Sequence, residues 1–294
     1  LKRALIIGCG YTGMRLAARL QEMTISVSGT TRSRARADEI EAAGIKPLPG
    51  SLSDPKLLRQ IREVNPHLVA YFVPPQLGGE DPLQEVIDVT AGASLEAFVY
   101  ASSTSVYGDR DGDWVDEETA ARPQSRLARA RLAAERCAID AARTGVAPTR
   151  VCRITGIYGP ARTFKSMLES GEYVLIKGRD TWVNRIHVDD LVSGLVAAWQ
   201  RGVAGRVYNL SDNEPHKAHE FAIQAAKLHG LPEPRWVDES EAFARLGELR
   251  LRRKLDSKRV RNGRLTQELG VKLAYPTFRT GLPLAVAEEK RTAR

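Results

Sequence analysis

Apolar positions along this chain alternate between short continuous runs and longer stretches where they recur at helical spacing. Runs at 4–7, 25–30, 45–48, 68–73, 97–101, 151–154 and 206–210 read as strands. The run at 68–73 is apolar on both faces, as a parallel sheet covered on both sides demands. After the first run, Leu16 and Leu20 share one helical face; after the third, Leu57, Leu58, Ile61 and Val64 mark another. That second helix is expected to start at Ser53-Asp54-Pro55, with Ser53 as cap and Pro55 in the first turn. Further helices are expected at 82–95, 125–143, 191–199, 218–229 and 284–289, with Asp189 a candidate cap for the third of these. Strands alternating with helices predict an α/β fold built on a doubly wound parallel sheet. Past Pro160 the pattern loosens, so the expected division is 1–158 with 184–210 returning to it, and 159–183 with 211–294 forming a smaller C-terminal α/β lobe for substrate.

The first run leads straight into Gly8-Cys9-Gly10-Tyr11-Thr12-Gly13. Strand, G-x-G-x-x-G and helix in that order form the Rossmann dinucleotide signature. Gly8 makes the tight turn, Gly10 lets a pyrophosphate approach the backbone, and Gly13 lets helix pack on strand. The helix N-terminus adds free N–H groups and a positive dipole end, which makes Tyr11 and Thr12 cofactor candidates. The second run ends in Thr30-Thr31-Arg32-Ser33-Arg34, with no acid before Asp38 to hold a ribose 2′-hydroxyl. A guanidinium binds two phosphate oxygens at once, so NADP is expected in preference to NAD, through Thr31, Arg32 and Ser33. Gly78 and Gly79 form a candidate lid or cofactor contact, or plain connection.

Composition narrows the class. The chain has 294 residues, 43% hydrophobic and 27% charged, which describes a globular protein with no apolar run long enough to span a bilayer. Cys9, Cys137 and Cys152 are widely spaced and odd in number, suggesting neither a disulfide framework nor a metal site. With no signal-peptide pattern at its start, the chain is expected to be cytoplasmic. The net charge of +8 fits an anionic ligand, nucleic acid or a solvated basic surface. Much of it falls late, at Arg245, Arg250, Arg252, Arg253, Lys254, Lys258, Arg259 and Arg261. No aromatic-rich basic patch accompanies it, which argues against nucleic acid and for a small-molecule partner. The arginines crowding 125–143 leave a monomer or a homodimer open.

Three later segments carry hydroxyl and basic groups at strand ends: Ser102-Ser103-Thr104-Ser105-Val106-Tyr107-Gly108, Arg153-Ile154-Thr155-Gly156-Ile157-Tyr158-Gly159-Pro160, and Asn184-Arg185-Ile186-His187-Val188-Asp189-Asp190. With the glycine turn and a C-terminal stretch holding Glu268-Leu269-Gly270 and Tyr275-Pro276, they resemble the extended short-chain dehydrogenase/reductase family of nucleotide-sugar epimerases and dehydratases. The resemblance implies hydride transfer between a nicotinamide and a carbon bearing oxygen. It places further cofactor contacts at Ser51, Leu52, Val73, Pro74, Ser102, Arg131 and Ile157, and the substrate-orienting hydroxyl at Ser103. The family's Tyr-x-x-x-Lys pair is missing, because Pro123-Gln124-Ser125-Arg126-Leu127 puts Leu127 at the tyrosine and Arg131 at the lysine. Leucine cannot move a proton. Arg131 keeps its charge and is either a ribose ligand or a surface arginine.

Tyr107 is then a candidate acid, with Tyr158, His187 and Asp190 as alternatives. Thr104, Tyr158, Asn184, Arg185 and His187 are candidate substrate residues, with Arg162 and Lys165 behind them. The bland alternatives are packing for the tyrosines and a structural hydrogen bond for the histidine. The leading expectation is an atypical NADP-dependent oxidoreductase or epimerase-like protein acting on a small anionic or nucleotide-sugar-like substrate. A non-catalytic NADP(H) sensor and an RNA-binding relative are the alternatives.

Overall fold

The computed structural model describes residues 1–78 and 81–292; Gly79, half of the expected lid pair, lies outside them. Seven strands build the main sheet: β1 (Arg3–Ile7), β2 (Ser26–Thr31), β3 (Lys46–Pro49), β4 (Leu68–Tyr71), β5 (Ala97–Ser103), β6 (Thr149–Ile154) and β7 (Val207–Leu210). All neighbours are parallel, in the order β7-β6-β5-β4-β1-β2-β3. The chain starts at β1, works outward to β3, then crosses back to β4 on the other side of β1. That reversal opens a crevice at the carboxyl ends of β1 and β4, where ligands bind in sheets of this kind.

Among the described residues ten α-helices flank the sheets: α1 (Tyr11–Glu22), α2 (Arg34–Ala42), α3 (Pro55–Val64), α4 (Leu83–Thr90), α5 (Arg126–Arg143), α6 (Lys165–Glu169), α7 (Val188–Arg201), α8 (Ala218–His229), α9 (Glu239–Leu255) and α10 (Phe278–Thr292). β1 shows why both sheet faces must be covered. Ala4 and Ile6 pack into one core with Leu16 and Leu20 of α1 and Leu191 and Leu195 of α7. Leu5 and Ile7 pack into the other, with Leu57 and Ile61 of α3, Val86 and Ile87 of α4 and Ala134 and Ala138 of α5. Alternation along one strand thus feeds two cores. Outside the main sheet the strands are short and paired. Gly156–Tyr158 pairs in parallel with Arg185–His187, and Trp114–Val115 with Arg259–Val260. A separate apolar cluster gathers Tyr158, Phe221, Phe278 and Leu282.

Several expected boundaries move. Asp54, not Ser53, caps α3, accepting the Lys56 N–H at 2.8 Å, while the Ser53 hydroxyl turns back to Ser51 at 2.8 Å. The shorter reach from the residue directly before Pro55 decides this. α4 ends at Thr90 rather than 95, because the chain turns at Ala91 and closes a Leu95-to-Gly92 bond. His187, not Asp189, precedes the first turn of α7 and accepts the Asp189 N–H at 3.3 Å. The final helix begins at Phe278, six residues before the expected 284. The late basic run divides: Arg245, Arg250, Arg252 and Arg253 are exposed, whereas Lys258 is buried and Lys254 half-buried. No helix among the described residues is long and apolar enough to cross a membrane.

Candidate functional site

The glycine turn lies at the carboxyl end of β1, beside the crevice. Gly8 has φ +83°, which an L side chain rarely adopts, and its Cβ would meet the Val73 side chain at 3.0 Å. A Cβ on Gly13 would meet Ile6 at 3.0 Å, so this glycine sets how closely α1 packs on β1. Gly10 is different: a Cβ there would meet nothing within 4 Å. The open space lies beside the first turn of α1, where the N–H groups of Tyr11, Thr12 and Gly13 have no acceptor among the described residues. Thr30 ties the turn to β2, taking the Gly8 N–H on its hydroxyl and the Cys9 N–H on its carbonyl, both at 2.9 Å. Burial pushes the Cys9 thiol up to about 11, so it stays protonated. The Tyr11 hydroxyl donates to the Pro160 carbonyl at 2.8 Å, joining the turn to the segment after β6.

The end of β2 is open to solvent. Arg32 is exposed and makes no ion pair among the described residues. Its neighbours are fixed: the Thr31 hydroxyl accepts the Ser33 N–H at 3.2 Å, and the Ser33 hydroxyl caps α2 by accepting the Arg36 N–H at 3.3 Å. Ser51 is exposed and Leu52 half-buried after β3; Val73 is half-buried and Pro74 exposed after β4.

At the end of β5 the hydroxyls separate by role. Ser103 is half-exposed and accepts the Ser105 N–H at 3.2 Å, leaving its own proton free. Thr104 beside it is also half-exposed. Ser102 is 3% exposed and bonds Glu135, a fully buried acid of α5. Glu135 also takes the Arg153 guanidinium through Nε at 3.1 Å and Nη2 at 2.8 Å. That guanidinium lies 4.7 Å from the Tyr107 ring, whose hydroxyl donates to Asn209 at 2.8 Å. Tyr107, expected as a proton donor, is therefore fully buried with its hydroxyl engaged, and burial raises its pKa. Arg131 reaches the same strand end, donating to the Ala101 carbonyl at 3.2 Å, and Leu127 stands half-buried one turn before it.

The expected substrate residues also divide. Tyr158 is fully buried, edge-on to His187 at 5.2 Å and to Phe221 at 5.6 Å, and so belongs to the apolar cluster. His187 is 1% exposed, and burial lowers it to about 4, so it is neutral at pH 7. Asn184 spends its side chain on the C-terminal strand, donating to the Lys258 carbonyl at 2.9 Å and accepting the Val260 N–H at 2.8 Å. Arg185 is the exception. Its guanidinium lies 4.6 Å from the Phe164 ring and 4.2 Å from the Phe221 ring, and its buried Nε has no hydrogen-bond partner. Ile157 is half-exposed and lines a hollow with Arg162, Phe164 and Lys165.

Sequence reasoning missed Glu135 and Lys254. Glu135 lies three residues before Ala138 and seven after Ala128, both buried, so its place on the buried stripe of α5 was a readable sign. Lys254 was hidden in the charge run. Among the described residues, no group of three or more His, Cys, Asp or Glu is placed to hold a metal ion.

Comparison with known proteins agrees with this geometry. A profile of the NAD dependent epimerase/dehydratase family matches residues 4–211. Protein YeeZ of Escherichia coli (strain K12) is 26% identical, with 94% of this chain and 97% of YeeZ covered. A functionally unknown conserved protein from Silicibacter pomeroyi is 34% identical with a TM-score of 0.84, covering 98% of this chain and 99% of that one. The UDP-glucuronic acid 4-epimerase of Bacillus cereus, solved with NAD, shares the fold at a TM-score of 0.78 and 16% identity, covering 99% of this chain and 100% of that one.

Proposed function

The chain belongs to the NAD dependent epimerase/dehydratase family, and from that premise we propose that it binds NADP(H) in preference to NAD(H) and exchanges hydride with a small anionic substrate. The observation that carries the reading is the glycine turn. The cradle at Gly10 is open, and among the described residues three backbone N–H groups lack acceptors and Arg32, at the end of β2, has no ion-pair partner. These residues fit a phosphorylated dinucleotide. The N–H groups of 11–13 would hold the pyrophosphate, and Arg32 with Thr31 and Ser33 the 2′-phosphate. Further contacts fall to Ser51, Leu52, Val73, Pro74, Ser102 and Ile157.

The bound nicotinamide supplies hydride chemistry. This chain's residues would do the rest. Ser103 would orient a substrate oxygen with its free proton. Arg131 would hold a ribose hydroxyl as a fixed cation. Arg185 would face the substrate's negative charge. Thr104, half-exposed beside Ser103, would add a second hydroxyl, while Asn184 would act only by holding the C-terminal strand beside Arg185. Leu127 donates no proton, so proton supply falls to solvent or to the substrate itself.

The test is a fluorescence titration of NADPH against NADH. NADPH binds at least ten-fold more tightly, and Arg32→Ala removes that preference by weakening NADPH about ten-fold while leaving NADH unchanged. Equal affinities in the wild type would overturn the assignment. A second reading, a cofactor sensor without turnover, draws on Leu127 together with the engaged hydroxyls of Tyr107 and Tyr158. It forecasts tight NADPH binding with no loss of the nicotinamide 4-hydrogen to any carbonyl compound.

A further inference from the structure

Where the chain leaves the strand that continues from β6, it turns sharply. The Arg162 N–H closes a four-residue turn on the Gly159 carbonyl at 2.8 Å. The third residue of that turn is Ala161, at φ +63°, a region ordinarily left to glycine or asparagine. Phe164, three residues on, is also left-handed, at φ +70°. Two such residues with side chains, so close together, cost free energy, and contacts from outside the segment must offset it.

Those contacts come from two directions. On one side is the glycine turn. The Tyr11 hydroxyl donates to the Pro160 carbonyl at 2.8 Å, and the Arg162 guanidinium lies 5.0 Å from the Tyr11 ring. On the other side are the C-terminal helices. One oxygen of Glu289 in α10, Oε2, accepts both the Thr163 hydroxyl at 2.8 Å and the Ala161 N–H at 3.3 Å. The Thr163 oxygen lies in turn 2.9 Å from Nε2 of His229 in α8. Thr163 is 1% exposed, so water does not compete for these bonds while the segment stays in place. Glu288, the residue before Glu289, pairs with Arg15 of α1 at 3.6 Å. The end of α10 therefore grips both the helix that starts at the glycine turn and the segment beside that turn. The same segment lines the hollow that Ile157 borders.

We propose that residues 160–165 form a latched strap closing the space beside the glycine turn, with Thr163 and Glu289 as the latch, and that unlatching sets the rate at which a nicotinamide cofactor leaves. The two left-handed residues favour opening and the latch opposes it, so loss of the latch shifts the strap towards its open arrangement. The statement about cofactor release rests on the dinucleotide reading above; the latch itself does not.

Release of NADPH, chased with excess NADP+ in a stopped-flow fluorimeter, tests this. Thr163→Val and Glu289→Ala each speed release about ten-fold or more, with the association rate within about two-fold of wild type. Glu289→Gln keeps an acceptor oxygen for both donors, so its release stays within about three-fold of wild type. Wild-type release in both Thr163→Val and Glu289→Ala overturns the strap. Release from Glu289→Gln as fast as from Glu289→Ala also overturns it, by assigning the effect to charge and not to the latch. Should one variant fail to fold, the other decides. Failure of the wild type to bind NADPH sinks the cofactor reading alone. The latch is then read from hydrogen exchange of the amides at 161–165 in the unliganded protein. Exchange about ten-fold faster in Thr163→Val and Glu289→Ala upholds it, and wild-type exchange overturns it.

Discussion

Gly281 lacks the one atom that Tyr158 could not accommodate. A Cβ at this position in α10 would fall inside the Tyr158 hydroxyl and 3.0 Å from its ring. That hydroxyl donates weakly to the Thr277 carbonyl at 3.4 Å, so the ring is held by packing more than by its hydrogen bond. Gly281→Ala should therefore destabilise the protein by about 1–3 kcal/mol, the usual cost of overpacking. Tyr158→Phe alone should cost about 1 kcal/mol or less, and the double variant should recover part of the alanine penalty. Urea unfolding of the four proteins checks this, and additive effects would show that the two sites do not touch. The same comparison bears on function. A tyrosine whose removal is felt as packing is a core residue, whereas one that orients substrate would alter turnover with stability unchanged.

Helix α5 shows what a sequence can and cannot disclose about an element. Its start was legible: Ser125 caps it, accepting the Ala128 N–H at 3.1 Å, and the helix runs to Arg143 as its spacing predicts. The residues at 127 and 131, a leucine and an arginine where the resemblance implies Tyr and Lys, can be read directly, since residue identity at fixed offsets needs no structure. What lay hidden was the partner of a buried charge. Glu135 is recognisable as an acid among alanines, but Arg153 is eighteen residues away on β6, and only the sheet brings them together. Strands, helices and the glycine turn follow from local periodicity. Long-range pairs such as Tyr107–Asn209 and Lys254–Tyr173 follow from topology, which periodicity does not encode. Glu135→Gln removes the counter-charge of a buried guanidinium and leaves one acceptor oxygen where Ser102 and Arg153 now share two, so it should cost about 3–5 kcal/mol. A fall in the urea midpoint at unchanged slope is the expected result; a change under 1 kcal/mol would mean that water already pays the charge.

Across the whole molecule, buried ionisable groups collect where the sheet's carboxyl edge meets the C-terminal elements, and they make stability depend on pH in opposite senses. His187 and His216 are each 1% exposed and lowered from 6.5 to about 4 by burial. A histidine with a depressed pKa contributes stability above pH 6.5 and loses it as pH falls towards 4, because the unfolded chain takes up the proton first. Asp212, raised from 3.8 to about 8, behaves the other way: its contribution is complete below pH 3.8 and is lost as pH rises towards 8. Among the described residues its Oδ2 has no hydrogen-bond partner, and burial outweighs the Glu214 N–H on Oδ1 and the nearby Arg185 guanidinium that favour the ionised form. Asp212→Asn removes that titration and nothing else of charge. The variant should therefore gain on the wild type as pH rises from 4 to 8, by up to about 1.4 kcal/mol per pH unit. Thermal unfolding of both proteins at pH 5 and pH 7.5 reads the difference. Parallel profiles would mean that Asp212 is already ionised at neutral pH and neutralises Arg185.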